Sequence, residues 1–249
     1  MELKDNERID VVNDKISLIQ DISGLTFGTD ALLLAGYIKG KFKKCCELGG
    51  GTGIISMLTL TRDKCESVDC VEIQEKFCDL IRRNAELNGL DGRLTVLRCD
   101  LRTLARGGEY DLVFTNPPYM KTDTGKANLE EKKNIARHEV AGDIGDFCRT
   151  AAGLLKFGGA FYAVYRPDRA VDLICAMRDA GIEPKRMTYV SATTEHSPSM
   201  MLVEGRRGGK CGLTLTPNLY LYEGLTRQYG EDMQAILDTG AFPAKFTLK

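Results

Sequence analysis

Lys43-Lys-Cys-Cys-Glu-Leu-Gly-Gly-Gly-Thr-Gly-Ile-Ile-Ser-Met-Leu-Thr-Leu60 decides the architecture of this chain. Residues 43–48 read as a strand, 54–60 as a helix, and the glycine-rich turn between them can be neither. Gly49, Gly51 and Gly53 let the main chain take positive φ and let a ligand approach without Cβ contact. A strand, a tight glycine turn and a helix open a βαβ unit whose strand end and helix N-terminus face a ligand.

Working outward, strand-like runs alternate with helical patterns, the mark of a parallel sheet with crossover helices. Ser67–Glu72, Arg93–Cys99 and Tyr110–Thr115 read as the next three strands, with an amphipathic helix over Gln74–Asn88 capped by Gly89. A helix over Asp143–Phe157 is expected to stop at Gly158-Gly159, followed by a fifth strand, Ala160–Tyr165. Arg166–Gly181 reads as a further helix, and Met187–Val190 and Met200–Glu204 as closing strands. The expected fold is α/β: one Rossmann-like domain over residues 1–249, with seven strands, mostly parallel with an antiparallel closing strand, and helices on both faces. Residues 1–40 carry a short strand pair, and residues 120–142 form a loop of a length that in compact domains serves function or stays disordered.

Composition narrows the class. At 249 residues, 43% hydrophobic and 28% charged, the chain can bury one large core. No run approaches the roughly 20 apolar residues of a membrane span, and the start Met1-Glu-Leu-Lys-Asp-Asn-Glu-Arg8 is too charged for a signal peptide, so a cytoplasmic location is expected. The nine cysteines form no Cys-x-x-Cys pair and only His138 and His196 are present, so no metal site is expected. A net charge of −1 excludes coating of nucleic acid by bulk electrostatics but leaves room for local basic clusters, such as Lys126, Lys132, Lys133 and Arg137.

Acids stand at successive strand ends. Glu47 precedes the first glycine by two residues, where it would repel a pyrophosphate and attract the cationic amino and sulfonium centres of S-adenosylmethionine. Glu72, followed by Ile73, can accept two ribose hydroxyls, and Asp100 can take an adenine amino group with Leu101 covering the ring. At the fourth strand end stands Asn116-Pro117-Pro118-Tyr119. Two prolines end the strand and hold a rigid polar lip beside an aromatic plate. Such a lip accepts hydrogen bonds from a planar NH₂ group while the ring stacks on its face.

These motifs make the chain similar to the class I S-adenosylmethionine-dependent methyltransferases, over roughly residues 25–205. The resemblance implies that the Asn116 oxygen and the Pro117 carbonyl hold a target amino group on which Tyr119 stacks, with Asn116 also adjoining the cofactor. Leu25-Thr-Phe-Gly-Thr-Asp-Ala-Leu-Leu-Leu34 and Leu213–Thr226 further resemble the bacterial tRNA valine adenine-37 N6-methyltransferase family. There Gly28, Thr29 and Asp30 would close over the methionine end of the cofactor. Two departures are Met120, where better-known members carry an aromatic residue, and the Lys- and Glu-rich run 121–139.

The expected activity is methyl transfer to the exocyclic N6 of an adenine in RNA, foremost tRNA, by a monomer with no metal and no membrane. Lys126, Lys133 and Arg137 are candidates for RNA phosphates. Glutamine N5 methylation of a release factor presents the same planar NH₂, but its enzymes usually carry a helical domain ahead of the glycine loop, where this chain has 46 residues. Guanine N2 methylation of ribosomal RNA, more often served by a lip ending in Phe, is a further alternative. A cofactor-binding adaptor without catalysis is a remote one, since it leaves the combined lip and acids unexplained.

Overall fold

A computed structural model of the chain describes residues 3–22, 27–105, 107–118, 142–224 and 226–247. The first sheet strand of the sequence reading is β3 (Phe42–Leu48), preceded by a separate antiparallel pair, β1 (Glu7–Asn13) and β2 (Ile16–Asp21). The expected strand pair is therefore present. β4 (Cys65–Glu72), β5 (Leu94–Arg98), β6 (Tyr110–Thr115), β7 (Leu155–Tyr165), β8 (Ile182–Ser191) and β9 (Met200–Arg207) complete the seven expected strands. Two-residue strands β10 (Thr214–Leu215) and β11 (Leu219–Tyr220) both pair with β8 and raise the sheet to nine.

The long strands run in the order β8-β9-β7-β6-β3-β4-β5. All pairings are parallel except those of β9, which lies antiparallel between β7 and β8. Alternate residues point to opposite faces, and both faces are buried. Cys45, Leu112, Phe114 and Tyr162 pack on one side against α1 (Thr29–Tyr37), α2 (Ile54–Thr61), α3 (Glu75–Leu87) and α6 (Glu231–Thr239). Cys46, Val113, Phe161 and Val203 pack on the other against α4 (Ile144–Leu154) and α5 (Ala170–Asp179). Two-sided burial explains why these strands read as near-continuous apolar runs. It also accounts for the buried thiols of Cys45, Cys46, Cys65 and Cys70, while Cys78 and Cys148 are buried in helices α3 and α4.

Beyond the two added short strands, other elements differ from expectation. The helix expected to reach Phe157 ends at Leu154, and β7 already begins at Leu155. Gly158, at φ 77°, lies in an irregularity where the pairing jumps from Tyr110–Leu155 to Leu112–Ala160. Leu155, fully buried, and its strand pairing outweigh the local helical pattern, and Phe157 is left 84% exposed. α6, near the C-terminus, was not foreseen among closing strands; Gly240 ends it in the left-handed conformation at φ 69°.

The β1–β2 pair is held by side chains rather than by a third strand. Asn84 accepts from Ile19 N (2.7 Å) and donates to Ile19 O (3.2 Å), while Asn88 does the same with Ser17 N (2.9 Å) and O (2.8 Å). Four residues of helix rise about 6 Å and two of strand about 6.6 Å, so the amides of Asn84 in α3 and Asn88 at its C-cap imitate a strand edge for β2. Asn84 also donates to Thr52 O (3.2 Å), joining this pair to the glycine turn.

Candidate active site

The chain leaves β3 toward β4 and β5 on one side and returns to β6 and β7 on the other, so a crevice opens where β3 and β6 end. Open α/β sheets bind ligands at this switch in strand order. Thr115 Oγ1 donates to Leu48 O at 2.8 Å and locks the two strand ends together.

Gly49 N and Gly50 N both donate to Val71 O, at 2.9 and 3.1 Å, hooking the turn onto the end of β4. Gly49, Gly51 and Gly53 have φ of 76°, 55° and 81°. The reading that alternate glycines are needed for backbone shape agrees with these angles. Gly50, not singled out, is required by packing: a Cβ there would lie 2.1 Å from Cys70 Sγ.

Glu47 takes a task that its sequence position did not show. Its carboxyl lies beneath the turn, 1% exposed, and accepts from Ser56 N (3.0 Å), from Ser56 Oγ and from Cys70 Sγ (3.8 Å). Ser56 is the third residue of α2, so Glu47 satisfies a main-chain donor that the helix start leaves open. Burial pushes the Glu47 carboxyl up to about 8, against the bonds from Ser56 that favour its charged form. The carboxyl thus stands behind the turn and supports it.

Glu72 ends β4 and binds the turn from the side, accepting from Gly51 N (3.0 Å) through one oxygen and Gln74 N (2.8 Å) through the other. A carboxylate offers about four lone-pair sites, so it can still take hydroxyl donors in this position. Ile73 beside it is half-buried. Asp100, beyond β5, accepts from Arg102 N (2.9 Å) and grips the Arg102 guanidinium, which holds its carboxyl below the usual range. Leu101 sits at 7% exposure within the α4 side of the core, so little of it faces outward.

Across the crevice, Asn116 Nδ2 donates to Asp30 Oδ2 at 2.7 Å. Asp30 lies in the first turn of α1, and its other oxygen accepts from Ala31 N (2.9 Å). A carboxylate can only accept, so the amide nitrogen of Asn116 must face it and the amide oxygen is turned elsewhere. Gly28 is exposed and Thr29 opens α1; a Cβ on Gly28 would lie 2.7 Å from Asp30 Oδ1 and crowd the carboxylate that Asn116 binds. Gln20 Oε1 accepts from Phe27 N (2.8 Å) and ties this segment to β2. Asn116 is half-buried, Pro117 buried and Pro118 exposed.

Tyr119, Lys126, Lys133, Arg137 and His138 lie outside the described residues, as does most of the 120–142 loop. His196 is exposed between β8 and β9 and bonds Thr193. Sequence reasoning missed Ser56, Gly50 and the Asp30–Asn116 bond. The first sits at a helix N3 position that could have been suspected, whereas the bond spans 86 residues and has no local signal.

The two strand-end carboxylates, Glu72 and Asp100, can accept from the hydroxyl and amino donors of a nucleoside, and the positive-φ glycine turn on the far side of Glu72, at the end of β3, gives a backbone that a ligand can approach. Together with the strand order, this set of acceptors suits an S-adenosylmethionine-dependent methyltransferase. The chain belongs to the methyltransferase small domain family, whose model matches residues 23–172. Among similar curated proteins, the tRNA1(Val) (adenine(37)-N6)-methyltransferase of Dyadobacter fermentans is 24% identical over 206 residues, covering 82% of this chain and 85% of that one. The protein of the same description from Pedobacter heparinus is 30% identical over 152 residues, 60% of this chain and 64% of that one. Among solved structures, a predicted O-methyltransferase from Agrobacterium tumefaciens matches with a TM-score of 0.70 at 22% identity, covering 86% of this chain and 98% of that one. That likeness shows the fold.

Proposed function

We propose that the protein transfers a methyl group from S-adenosylmethionine to the exocyclic N6 of an adenine in tRNA. The observation that carries this reading is the Asp30–Asn116 bond, because it turns the amide nitrogen of Asn116 toward Asp30 and so sets the direction of its amide oxygen at the end of β6. Two relatives described as tRNA adenine-N6 methyltransferases, similar over most of the chain in one case, support the choice of acceptor.

Bound S-adenosylmethionine supplies an electrophilic methyl group on sulfonium. In this reading Glu72 accepts the ribose hydroxyls, Asp100 takes the adenine amino group beside Ile73 and Leu101, and the turn at Gly49, Gly51 and Gly53 makes room for the cofactor's tail. Glu47 keeps that turn in shape, and Gly28, Thr29 and Asp30 cover the methionine end. Asn116 Oδ1 and the Pro117 carbonyl each accept one N–H of the target amino group. Both bonds favour tetrahedral character at nitrogen and aim its lone pair, otherwise delocalised into the ring, at the methyl. Positioning of this kind can supply roughly 7–11 kcal/mol of a barrier. No base is needed before transfer, since the proton leaves the cationic product afterwards. Tyr119 stacks on the splayed base, and Lys126, Lys133 and Arg137 contact phosphates.

The test is to incubate the protein with labelled cofactor and separate pools of tRNA, ribosomal RNA and release factor, then identify the modified product. N6-methyladenosine in tRNA is the expected product. Label confined to protein, or to guanine in ribosomal RNA, overturns the reading.

A further inference from the structure

Gln20 is a polar side chain at 2% exposure inside β2, so its amide must find partners within the fold. Its Oε1 accepts from Phe27 N at 2.8 Å, and its Nε2 donates to Asp10 Oδ2 on β1. Arg8 Nε reaches the same Asp10 oxygen at 2.9 Å. A carboxylate only accepts and a main-chain N–H only donates, so a single orientation of the Gln20 amide serves both partners.

The same arrangement stands at the other end of a short segment, where Asp30 turns the Asn116 amide as Asp10 turns that of Gln20. Only Gly28 and Thr29 lie between Phe27, held by Gln20, and Asp30 in the first turn of α1. Two residues span at most about 7 Å, so a displaced Phe27 carries the start of α1 with it. Gln20 is itself firmly placed. It follows Ile19, whose main chain Asn84 grips, and Asn84 also donates to Thr52 O in the glycine turn. Residues 27–30 and the glycine turn are thus fixed to one frame, from opposite sides of the crevice entrance to β3.

We propose that Gln20 is a positioning residue for S-adenosylmethionine: it holds residues 27–30 at a set reach from the glycine turn, and Asp10 sets the sense of its amide. The inference rests on the reading that Gly28, Thr29 and Asp30 cover the methionine end of the cofactor, and adds to it what holds that cover in place.

Calorimetry and hydrogen exchange with S-adenosylmethionine test it on the wild type, Gln20→Ala, Gln20→Glu and the double variant Asp10→Asn/Gln20→Glu. In the wild type the cofactor should slow exchange across residues 27–31. Gln20→Ala should weaken cofactor binding roughly tenfold, the effect of about one hydrogen bond, and lose that protection. Gln20→Glu sets two carboxylates against each other and should weaken binding at least as much. The double variant keeps the net charge and reverses the donor: the amide at position 10 donates to a carboxylate at position 20, which still accepts from Phe27 N. Its affinity should return to within about threefold of the wild type, and it keeps the comparison available where Gln20→Ala does not fold. A merely structural role would lower the stability of the single variants and leave the cofactor affinity of the folded protein as it was. Unchanged affinity in folded Gln20→Ala, or a double variant that binds no tighter than Gln20→Glu, overturns the assignment and leaves the reading of the cover standing. Absence of protection at residues 27–31 in the wild type overturns that reading, and this inference with it.

Discussion

Asp30 Oδ2 and Asn116 Nδ2 lie 2.7 Å apart, so the first turn of a helix near the N-terminus sets the direction of an amide at the end of β6. The bond makes Asp30 a positioning residue for Asn116. Asp30→Ala is expected to lower kcat about 10- to 100-fold, as loss of one charge-assisted hydrogen bond would, with cofactor affinity within a few fold. Asp30→Asn should recover much of the rate, because its amide oxygen can still accept from Asn116. Single-turnover rates and calorimetry on both variants check this; a rate that falls only in step with cofactor affinity would refute it.

Asn116→Ala should abolish methyl transfer while cofactor affinity stays within a few fold, since the amide oxygen is assigned to the acceptor. The comparison needs a turnover assay beside a binding measurement. Equal loss of both would remove Asn116 from the acceptor half of the site.

Glu47 gives a pH signature. Its ordinary value of 4.5 is raised to about 8 by burial, so between those values the folded chain keeps a proton that the unfolded chain has lost. Stability from this group is therefore present below about pH 4.5, falls as pH rises toward 8 and stays lost above it. Glu47→Gln cannot titrate, so its melting temperature should gain on the wild type from pH 5 to pH 9. Parallel melting curves across that range would show that Glu47 is not buried as a neutral acid.

Arg186 is fully buried and joins three elements: its guanidinium donates to Glu204 (2.9 Å), Tyr37 O (2.9 Å) and Phe246 O (2.6 Å) and lies 3.7 Å over the Tyr37 ring. Arg186→Ala leaves the Glu204 charge and two carbonyls without this partner and should cost about 3–5 kcal/mol in denaturant unfolding. A loss below about 1 kcal/mol would place the anchoring of the C-terminal segment elsewhere.

Asn84→Ala removes the amide that serves Ile19 N, Ile19 O and Thr52 O. The expected cost is about 1–3 kcal/mol, with faster hydrogen exchange concentrated at Ile19 and its β2 neighbours. Exchange that rises evenly over the whole sheet would contradict local tethering by α3.

Local chemistry in the sequence determined the succession of strands and helices, the turn at Gly49–Gly53, the acids at Glu72 and Asp100, and the stop at Pro117-Pro118. Each depends on neighbours within a few residues: short apolar runs, glycine φ, proline's missing donor. Only tertiary structure decided that Leu155 starts a strand, that Glu47 turns inward to Ser56, that Asn84 and Asn88 stand in for a strand edge, and that Asp30 meets Asn116. Those outcomes depend on burial and on hydrogen bonds between residues far apart in the chain, and no pattern within a short window of sequence records which distant donor a side chain will find.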